Sequence, residues 1–326
     1  MFNIVNLKLK GFNIMRKYIT RRILLAVPML FAISFIAFVL INFMPSDPAE
    51  VALRVNEIIP TDEAVASMRA QLGLDDPFLV RYFRWLADCL RFDFGVSYTN
   101  TNRTVISEIV RCIPQTLNLA AMSLVIVLAV SIPIGVLSAV YKNSLFDRII
   151  RFFVFIGTAM PNYWLGLVLI WLFGVKLKFL PTNGATSFKH YILPAITLSM
   201  TYISTYVRLI RNSMLDNMTE NYAFYAEVRG IKKSVIVYKH VLKNSLQSSM
   251  NALGMSIVQL ISGTVVVENI FAIPGIGRLC ISAIFNRDYP VIQAYILMMG
   301  VMFVFCNLAI DIVQCFIDPR MKRGIQ

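Results

Sequence analysis

Residues 221–244 read NYAFYAEVRGIKKSVIVYKHVLKN. The stretch is half apolar, and it sets Arg229, Lys232, Lys233, Lys239 and Lys243 against the single acid Glu227. Phe224, Val228, Ile231, Val235, Tyr238 and Leu242 recur at steps of four and three, the spacing of one helical face, with the lysines off it. Gly230 interrupts the stripe. A glycine inside a continuous helix costs about 1 kcal/mol against alanine, so the pattern predicts two short helices joined at a glycine turn. Such a segment either lies on lipid headgroups or fills the groove of a soluble partner.

What flanks the stretch decides the fold. With 57% hydrophobic and only 15% charged residues, the chain is far from the balance of a water-soluble domain. Apolar runs at about 23–43, 117–140, 152–172, 192–207, 250–267 and 291–316 approach or exceed the roughly 20 residues needed to cross a bilayer core. The fold class expected is an all-α polytopic membrane protein with six transmembrane helices. The first run is too long for the apolar core of a signal peptide and no small-residue cleavage site follows it, so it reads as an uncleaved anchor. Residues 1–22 and 318–326 are then tails, 23–43 the first span and 44–116 a polar segment between spans. Residues 117–317 form the core of spans two to six, with a long loop at 208–245 that contains the quoted stretch.

Charge orients this arrangement, because lysine and arginine are retained on the cytoplasmic side of short loops. With both termini inside, nineteen basic and six acidic residues fall on the cytoplasmic side, the acids including Asp311 near the end of the last span. The outer basic and acidic residues cancel, so the whole formal charge of +13 lies on one face. Anionic headgroups and cytoplasmic partners account for that charge, and nucleic acid is not implied.

The 44–116 segment is too polar for membrane and too long for a simple loop, so it is expected to fold outside. Thr61 with Asp62 and Glu63 marks a helix start and Gly73 its stop. Leu79, Tyr82, Phe83, Leu86 and Leu90 share the face of a second helix. This segment is either a cap on the span ends or a docking surface for an external partner.

Motifs for chemistry are lacking. No GxxxxGK[ST] phosphate loop occurs, and GIGRLC beginning at Gly275 has neither the spacing nor the lysine. His190 and His240 fall on opposite sides of the membrane, so they share no metal. The five cysteines show no CxxC spacing, and only Cys89 and Cys112, both outside, are placed to bridge. No catalytic residue, metal ligand or cofactor site is assigned. Asp311 is the one ionisable group within a span, near its cytoplasmic end, where it is placed either to pair with Arg148 or Arg151 or to serve transport. Any energy for transport must therefore come from another chain. The polar residues within the spans mark a path instead. The third run is broken at Pro161-Asn162, and Ala252, Ser256, Gln259 and Gly263 lie on one face of the fifth. A face of small and polar residues serves close helix packing or the wall of a water-filled route, so Asn162, Ser256, Gln259 and Gly263 are candidate path residues.

The core Tyr225-Ala226-Glu227-Val228-Arg229-Gly230, followed ten residues after the glycine by His240-Val241-Leu242-Lys243-Asn244, resembles the cytoplasmic loop signature of permeases of binding-protein-dependent ABC importers. This chain has Phe-Tyr-Ala where the family often reads Glu-Ala-Ala, and Lys243 where many members have proline. Both departures are usual in the peptide and nickel branch. The resemblance runs from Met15 to Arg323. It includes RRILLAVPML, QLGLDDPFLVRYFRWL, DFGVSY, MPNYWLGLVL, ENIFAIPGIGR and the DPR at 318–320, with SAIFNRDYPVIQ and SMLD especially similar to the nickel-import permease. The fourteen residues before Met15 match no pattern of the family.

The resemblance implies a type I importer architecture in a bacterial cytoplasmic membrane. It implies a second homologous permease subunit, two ABC ATPase subunits carrying ATP and Mg, and an external solute-binding protein. Phe224, Tyr225, Ala226, Glu227, Arg229, Gly230 and Ile231 would form the coupling helix that docks on an ATPase. ENIFAIPGIGR would form a re-entrant lip with Glu268, Asn269, Pro274 and Gly275 facing the mouth of the path, since irregular backbone at membrane depth survives only where it lines a cavity or is buried in protein. Nickel, free or chelated by a small metallophore, is the expected cargo, with a di- or oligopeptide as the alternative and a non-transporting scaffold as a remote one.

Overall fold

The computed structural model describes residues 2–44 and 47–317, with side-chain surroundings from Thr20 onward except at 247–251, 253–255, 311 and 313–317. The side chains of Asn251 and Asp311, the 318–320 motif and the surroundings of the residues before Met15 lie outside what is described. Among the described residues the chain is helical, its only β pairing an isolated antiparallel bridge between Val96 and Thr104. Among the described residues three helical stretches are long and apolar enough to cross a membrane, Thr20–Asn42, Val105–Val140 and Tyr289–Ile310, and a fourth if the bent pair Leu145–Ala159 and Asn162–Lys176 is one span, against the six expected. The chain divides into two compact units.

One unit comprises residues 16–115 and 274–305. It holds most of α1 (Phe2–Asn42), then α2 (Pro48–Val55), α3 (Asp62–Gln71), α4 (Phe78–Leu90) and the start of α5 (Val105–Val140). The Asp47 carboxylate accepts from Ala49 N at 2.9 Å to cap α2, and Pro48 supplies the fixed φ suited to a first helical position. Thr61 Oγ1 accepts from Ala64 N at 3.3 Å to cap α3, which Gly73 ends at φ +62°, a conformation that favours glycine. The buried face of α4 is rotated from the stripe expected. Tyr82 and Cys89 are buried, whereas Leu79, Phe83 and Leu90 are exposed. The cause is aromatic packing on α1: Phe35 meets Tyr82 at 5.2 Å, and Phe38 meets Phe78 at 5.3 Å and Trp85 at 5.7 Å. Tyr82 also shares a 2.9 Å hydrogen bond with Ser34. Cys89 and Cys112 are both buried and form no bridge with each other.

The rest of this unit's core comes from the other end of the chain. Helix α12 (Ile276–Phe285) and the start of α13 (Tyr289–Ile317) contribute Ala283, Tyr289, Val291, Ile292, Ala294 and Leu297 to a cluster with Ile41, Val51, Phe94, Val105 and Ile109. Between these helices the buried Asp288 carboxylate accepts from Tyr98 N and Thr99 N, each at 3.2 Å, from Thr99 Oγ1 at 2.9 Å and from the Ser97 hydroxyl. That set of donors fixes the 97–99 loop and supplies the bonds a buried carboxylate requires.

The other unit contains residues 116–273. Its helices beyond α5 are α6 (Leu145–Ala159) and α7 (Asn162–Leu169), which runs on into a π-helical turn at Ile170–Lys176, followed by α8 (Lys189–Met218). The third apolar run, expected as one span with a break, is two helices bent by 104° at Met160-Pro161. Proline has no amide hydrogen to continue the ladder and drives the residue before it to extended backbone, seen at Met160 with ψ 123°. Helix α8 continues to Met218, so the 208–245 region is helical for its first third. The remainder forms α9 (Asn221–Val228), α10 (Lys233–Val235) with a π-helical turn at Ile236–Val241, and α11 (Leu242–Ile270).

Helices α6, α7 and α11 all pack on α8, and small residues set the approach. A Cβ at Gly157 would lie 2.3 Å from Ser204 Oγ, one at Gly135 would lie 2.9 Å from Ile210 Cβ, and one at Gly263 would lie 3.2 Å from Leu198 Cδ1. Small residues at such crossings let helix backbones close where the hydrophobic effect is weak.

Candidate functional site

The 221–241 stretch folds as two short helical pieces around Gly230, which adopts φ +74° with open space where a side chain would stand. Ile231 N returns to Ala226 O at 3.1 Å and Gly230 N to Glu227 O at 2.9 Å, so α9 closes on its own carbonyls before the chain turns. The side facing inward carries Ala223, Ile236, Val237 and Val241, all buried against Tyr206, Ile210 and Met214 of α8. Tyr222 and Ala226 pack partly on the same cluster.

The opposite side is the unusual one. Phe224 is 61% exposed, Tyr225 62% and Val228 69%, with Ile231, Val235 and Tyr238 also exposed. Glu227 and Arg229 stand exposed among them. Apart from Leu242, which packs partly on this core, the apolar stripe legible in the sequence is therefore the outward face, and the chain's own core takes a second apolar set. Ala226 belongs to both, half-buried on its own core at the back of the exposed rings. A contiguous apolar surface on charged helices suits contact with another surface.

The candidate path residues divide by environment. Asn162, at the start of α7 after the Met160-Pro161 bend, accepts from Thr201 Oγ1 of α8 at 2.8 Å. Ser256 Oγ accepts from the Tyr206 hydroxyl at 2.6 Å, and Gly263 closes on Leu198 and Tyr202. These three are engaged in helix packing on α8, while Gln259 is exposed.

The segment after α11 is an irregular turn held from within its own unit. Ile273 N donates to Glu268 O at 2.9 Å and Gly184 N donates to Phe271 O at 3.1 Å, with Phe271 and Ile273 fully buried. Ala272 sits at φ +51°, a left-handed conformation rare for a residue bearing a Cβ. Asn269 and Pro274 are exposed and Gly275 is buried. Glu268 does not point outward as expected. It is fully buried, and its Oε1 accepts from Thr116 Oγ1 of α5 at 2.6 Å, because a carboxylate removed from water needs donors.

Sequence reading missed an ionic centre in the same unit. The Asp147 side chain is fully buried and receives Arg211 Nε at 2.8 Å and Nη2 at 2.9 Å, Ser138 Oγ at 2.5 Å and Asn143 N at 3.0 Å. Arg151 lies 3.6 Å away and also pairs with Asp147, while the expected pairing of Asp311 with Arg148 or Arg151 lies outside the described residues. Part of this was legible: Ser144 three residues before Asp147 is a helix-start signature, and its Oγ accepts from Asp147 N at 3.2 Å. The Arg211 contact spans 64 positions and has no local sign.

Among the described residues no group of three or more His, Cys, Asp or Glu side chains is placed to hold a metal. The chain matches the family described as "Binding-protein-dependent transport system inner membrane component" over residues 131–323 and the corresponding N-terminal family over residues 15–120. It is 38% identical over 311 residues to the metal-staphylopine import system permease protein CntB of Staphylococcus aureus, covering 95% of this chain and 99% of that one. It is 37% identical to the oligopeptide transport system permease protein AppB of Bacillus subtilis, covering 94% of this chain and all of that one. It is 34% identical to the glutathione transport system permease protein GsiC of Escherichia coli K12, covering 94% of this chain and 99% of that one. Inward-facing structures of the MetNI methionine ABC transporter superpose at TM-score 0.52 with 18% identity, covering 67% of this chain and 96% of that chain, a likeness of fold. Largely helical among the described residues, matched over both halves and related over 94 to 95% of its length to bacterial permeases, the chain belongs to the binding-protein-dependent inner membrane components as a non-catalytic ABC importer permease of the peptide/nickel branch, ATP hydrolysis being done by separate subunits.

Proposed function

We propose that this permease imports nickel, free or as a chelate with a small metallophore, and that it is driven through the 221–231 segment. The observation that supports the cargo is the 38% identity across 95% of the chain to a permease whose name states a metal-staphylopine cargo. The chain would pair with a second homologous permease around a central path, with two ATPases holding ATP and Mg at the cytoplasmic side and a solute-binding protein outside. Both termini would be cytoplasmic, an orientation that the distribution of lysine and arginine favours. Asn162, Ser256, Gln259 and Gly263 would border the path, and Asn269 and Pro274 would stand at the outer lip. A strain lacking this chain should lose uptake of labelled nickel at low concentration and recover nickel-dependent enzyme activity in excess nickel. Unchanged nickel uptake with failed growth on small peptides would establish the second reading, an oligopeptide permease, which the 37% identity to AppB favours.

For coupling, the support is the exposed Phe224, Tyr225 and Val228 beside a positive-φ glycine. ATP-driven transport needs a contact through which nucleotide closure biases the spans. Ala226→Trp would block close approach, and Gly230→Pro forbids the observed φ. Each should abolish stimulation of ATP hydrolysis by loaded binding protein. Full stimulation in both variants would leave the segment merely lying on the membrane.

A further inference from the structure

One charged pair in the unit of residues 16–115 and 274–305 is left apart. Arg81 on α4 is half-buried and donates only to neutral oxygens: Nη2 to Asn42 Oδ1 at 2.6 Å and Nη1 to Leu74 O at 3.4 Å. Its guanidinium lies 6.0 Å from the centre of the Phe38 ring and forms no ion pair with a described carboxylate. Neighbouring Arg84 is different, since Asp76 neutralises it at 2.7 Å. Burial, then the nearby Arg69 charge, pulls the Arg81 pKa down, as expected of a cation short of an anion.

Seven residues along the same helix, Asp88 is also half-buried, and its carboxylate has no hydrogen-bond or ion-pair partner among the described residues. Positions seven apart in an α-helix lie on one face, about 10.5 Å apart along the axis. Arg81 and Asp88 thus cannot satisfy each other. Both line a cavity of about 300 Å³ walled by Phe38, Trp85, Tyr98 and Tyr289. That volume is at the lower end for small-molecule sites, and the aromatic wall suits the body of a small ligand between two charged ends.

We propose that this cavity binds a small zwitterion, its carboxylate on Arg81 and its ammonium on Asp88. An extended tripeptide, at about 3.3 to 3.6 Å per residue, spans roughly 10 Å between its termini, comparable with the axial spacing of the two positions. The site belongs to α4 and its surroundings and is separate from the Asn162, Ser256 and Gln259 positions. It does not depend on which cargo the importer carries.

The test is titration calorimetry of the assembled importer in lipid nanodiscs, without binding protein, using trialanine as probe. Saturable heat is expected. Arg81→Met should weaken binding at least tenfold, and Arg81→Lys should restore part of it. Asp88→Asn, which alters no contact in the fold, should weaken trialanine about tenfold and leave N-acetyl-trialanine unaffected. Absence of saturable heat would overturn the proposal, as would binding of trialanine indifferent to both Arg81→Met and Asp88→Asn. Heat that appears only when binding protein is added would also overturn it, because the carboxylate would then come from the docked protein. Calorimetry reads binding without transport, so the outcome is independent of the nickel assay.

Discussion

Replacing Arg211 with methionine removes a two-pronged guanidinium contact from a carboxylate with no exposed surface. Breaking a buried pair from one side costs about 3 to 5 kcal/mol, because the remaining charge loses its compensation. Asp147 would keep the Ser138 hydroxyl, the Asn143 amide and Arg151 at 3.6 Å, so the cost should lie near 3 kcal/mol, the low end. Asp147→Asn leaves the cation instead. Arg211 is 14% exposed and can turn toward water, so that variant should cost only about 1 to 2 kcal/mol. In the double variant Arg211→Met with Asp147→Asn no charge is stranded, and its cost should fall below the sum of the single changes by about 2 kcal/mol. Thermal unfolding of the detergent-purified complex reads the effect. At about 2 to 4 °C per kcal/mol for a chain above 150 residues, Arg211→Met should lower Tm by roughly 6 to 12 °C. A drop under about 2 °C, or strict additivity in the double variant, would show that the pair does not tie α6 to α8.

At Gly157, alanine should cost about 1 to 3 kcal/mol by overpacking, since the new methyl would meet Ser204 Oγ at 2.3 Å; Ser204→Gly in the same chain should restore Tm, and failure to do so would place the strain elsewhere. Asp288→Asn weakens charge-assisted bonds to Ser97, Tyr98 and Thr99, so tryptic cleavage at Arg103 of the folded complex should speed several-fold, and an unchanged rate would mean the loop is held otherwise. Burial, followed by the charges of Asp88 and Asp93, pushes the Cys89 thiol up to about 12. At pH 7.5 fewer than about one in 10,000 copies of Cys89 is thiolate, so mass spectrometry should find Cys89 free of maleimide in the native complex and labelled after denaturation in SDS, and burial alone should protect Cys112 in the same way.

How far the sequence carried depended on whether a feature was local. Caps at Thr61 and Ser144, the stop at Gly73 and the turn at Gly230 are set by residues within a few positions of one another, and each was readable or nearly so. The 104° bend follows from a proline visible in the sequence, but its angle depends on how α6 and α7 pack on α8. Two long-range errors share one cause. The face of α4 turned away from its aliphatic stripe to pack on Phe35 and Phe38, forty or more positions away, and Asp147 found Arg211 across 64. Periodicity shows that a helix has a face; it does not show which neighbour that face will meet.

The same limit explains why the 221–241 stretch was read correctly as an amphipathic pair and yet incompletely. Two apolar sets are interleaved there. Ala223, Ile236, Val237 and Val241 are consumed by the core beneath, and Phe224, Tyr225 and Val228 are left over. In a soluble domain that surplus would be a liability. Here it is set apart from the spans by charged neighbours and by a glycine turn. A segment that holds its own structure with one apolar set, and offers another, can transmit force between a moving partner and the helices beneath it. Under the proposed coupling, the rigid part of that lever would be the buried cluster in which Ala223 and Val237 pack with Ile210 and Met214, on the helix that Asp147 grips at Arg211. Loosening either end should therefore uncouple the chain before it unfolds it, so Arg211→Met should lose ATPase stimulation at temperatures well below its lowered Tm.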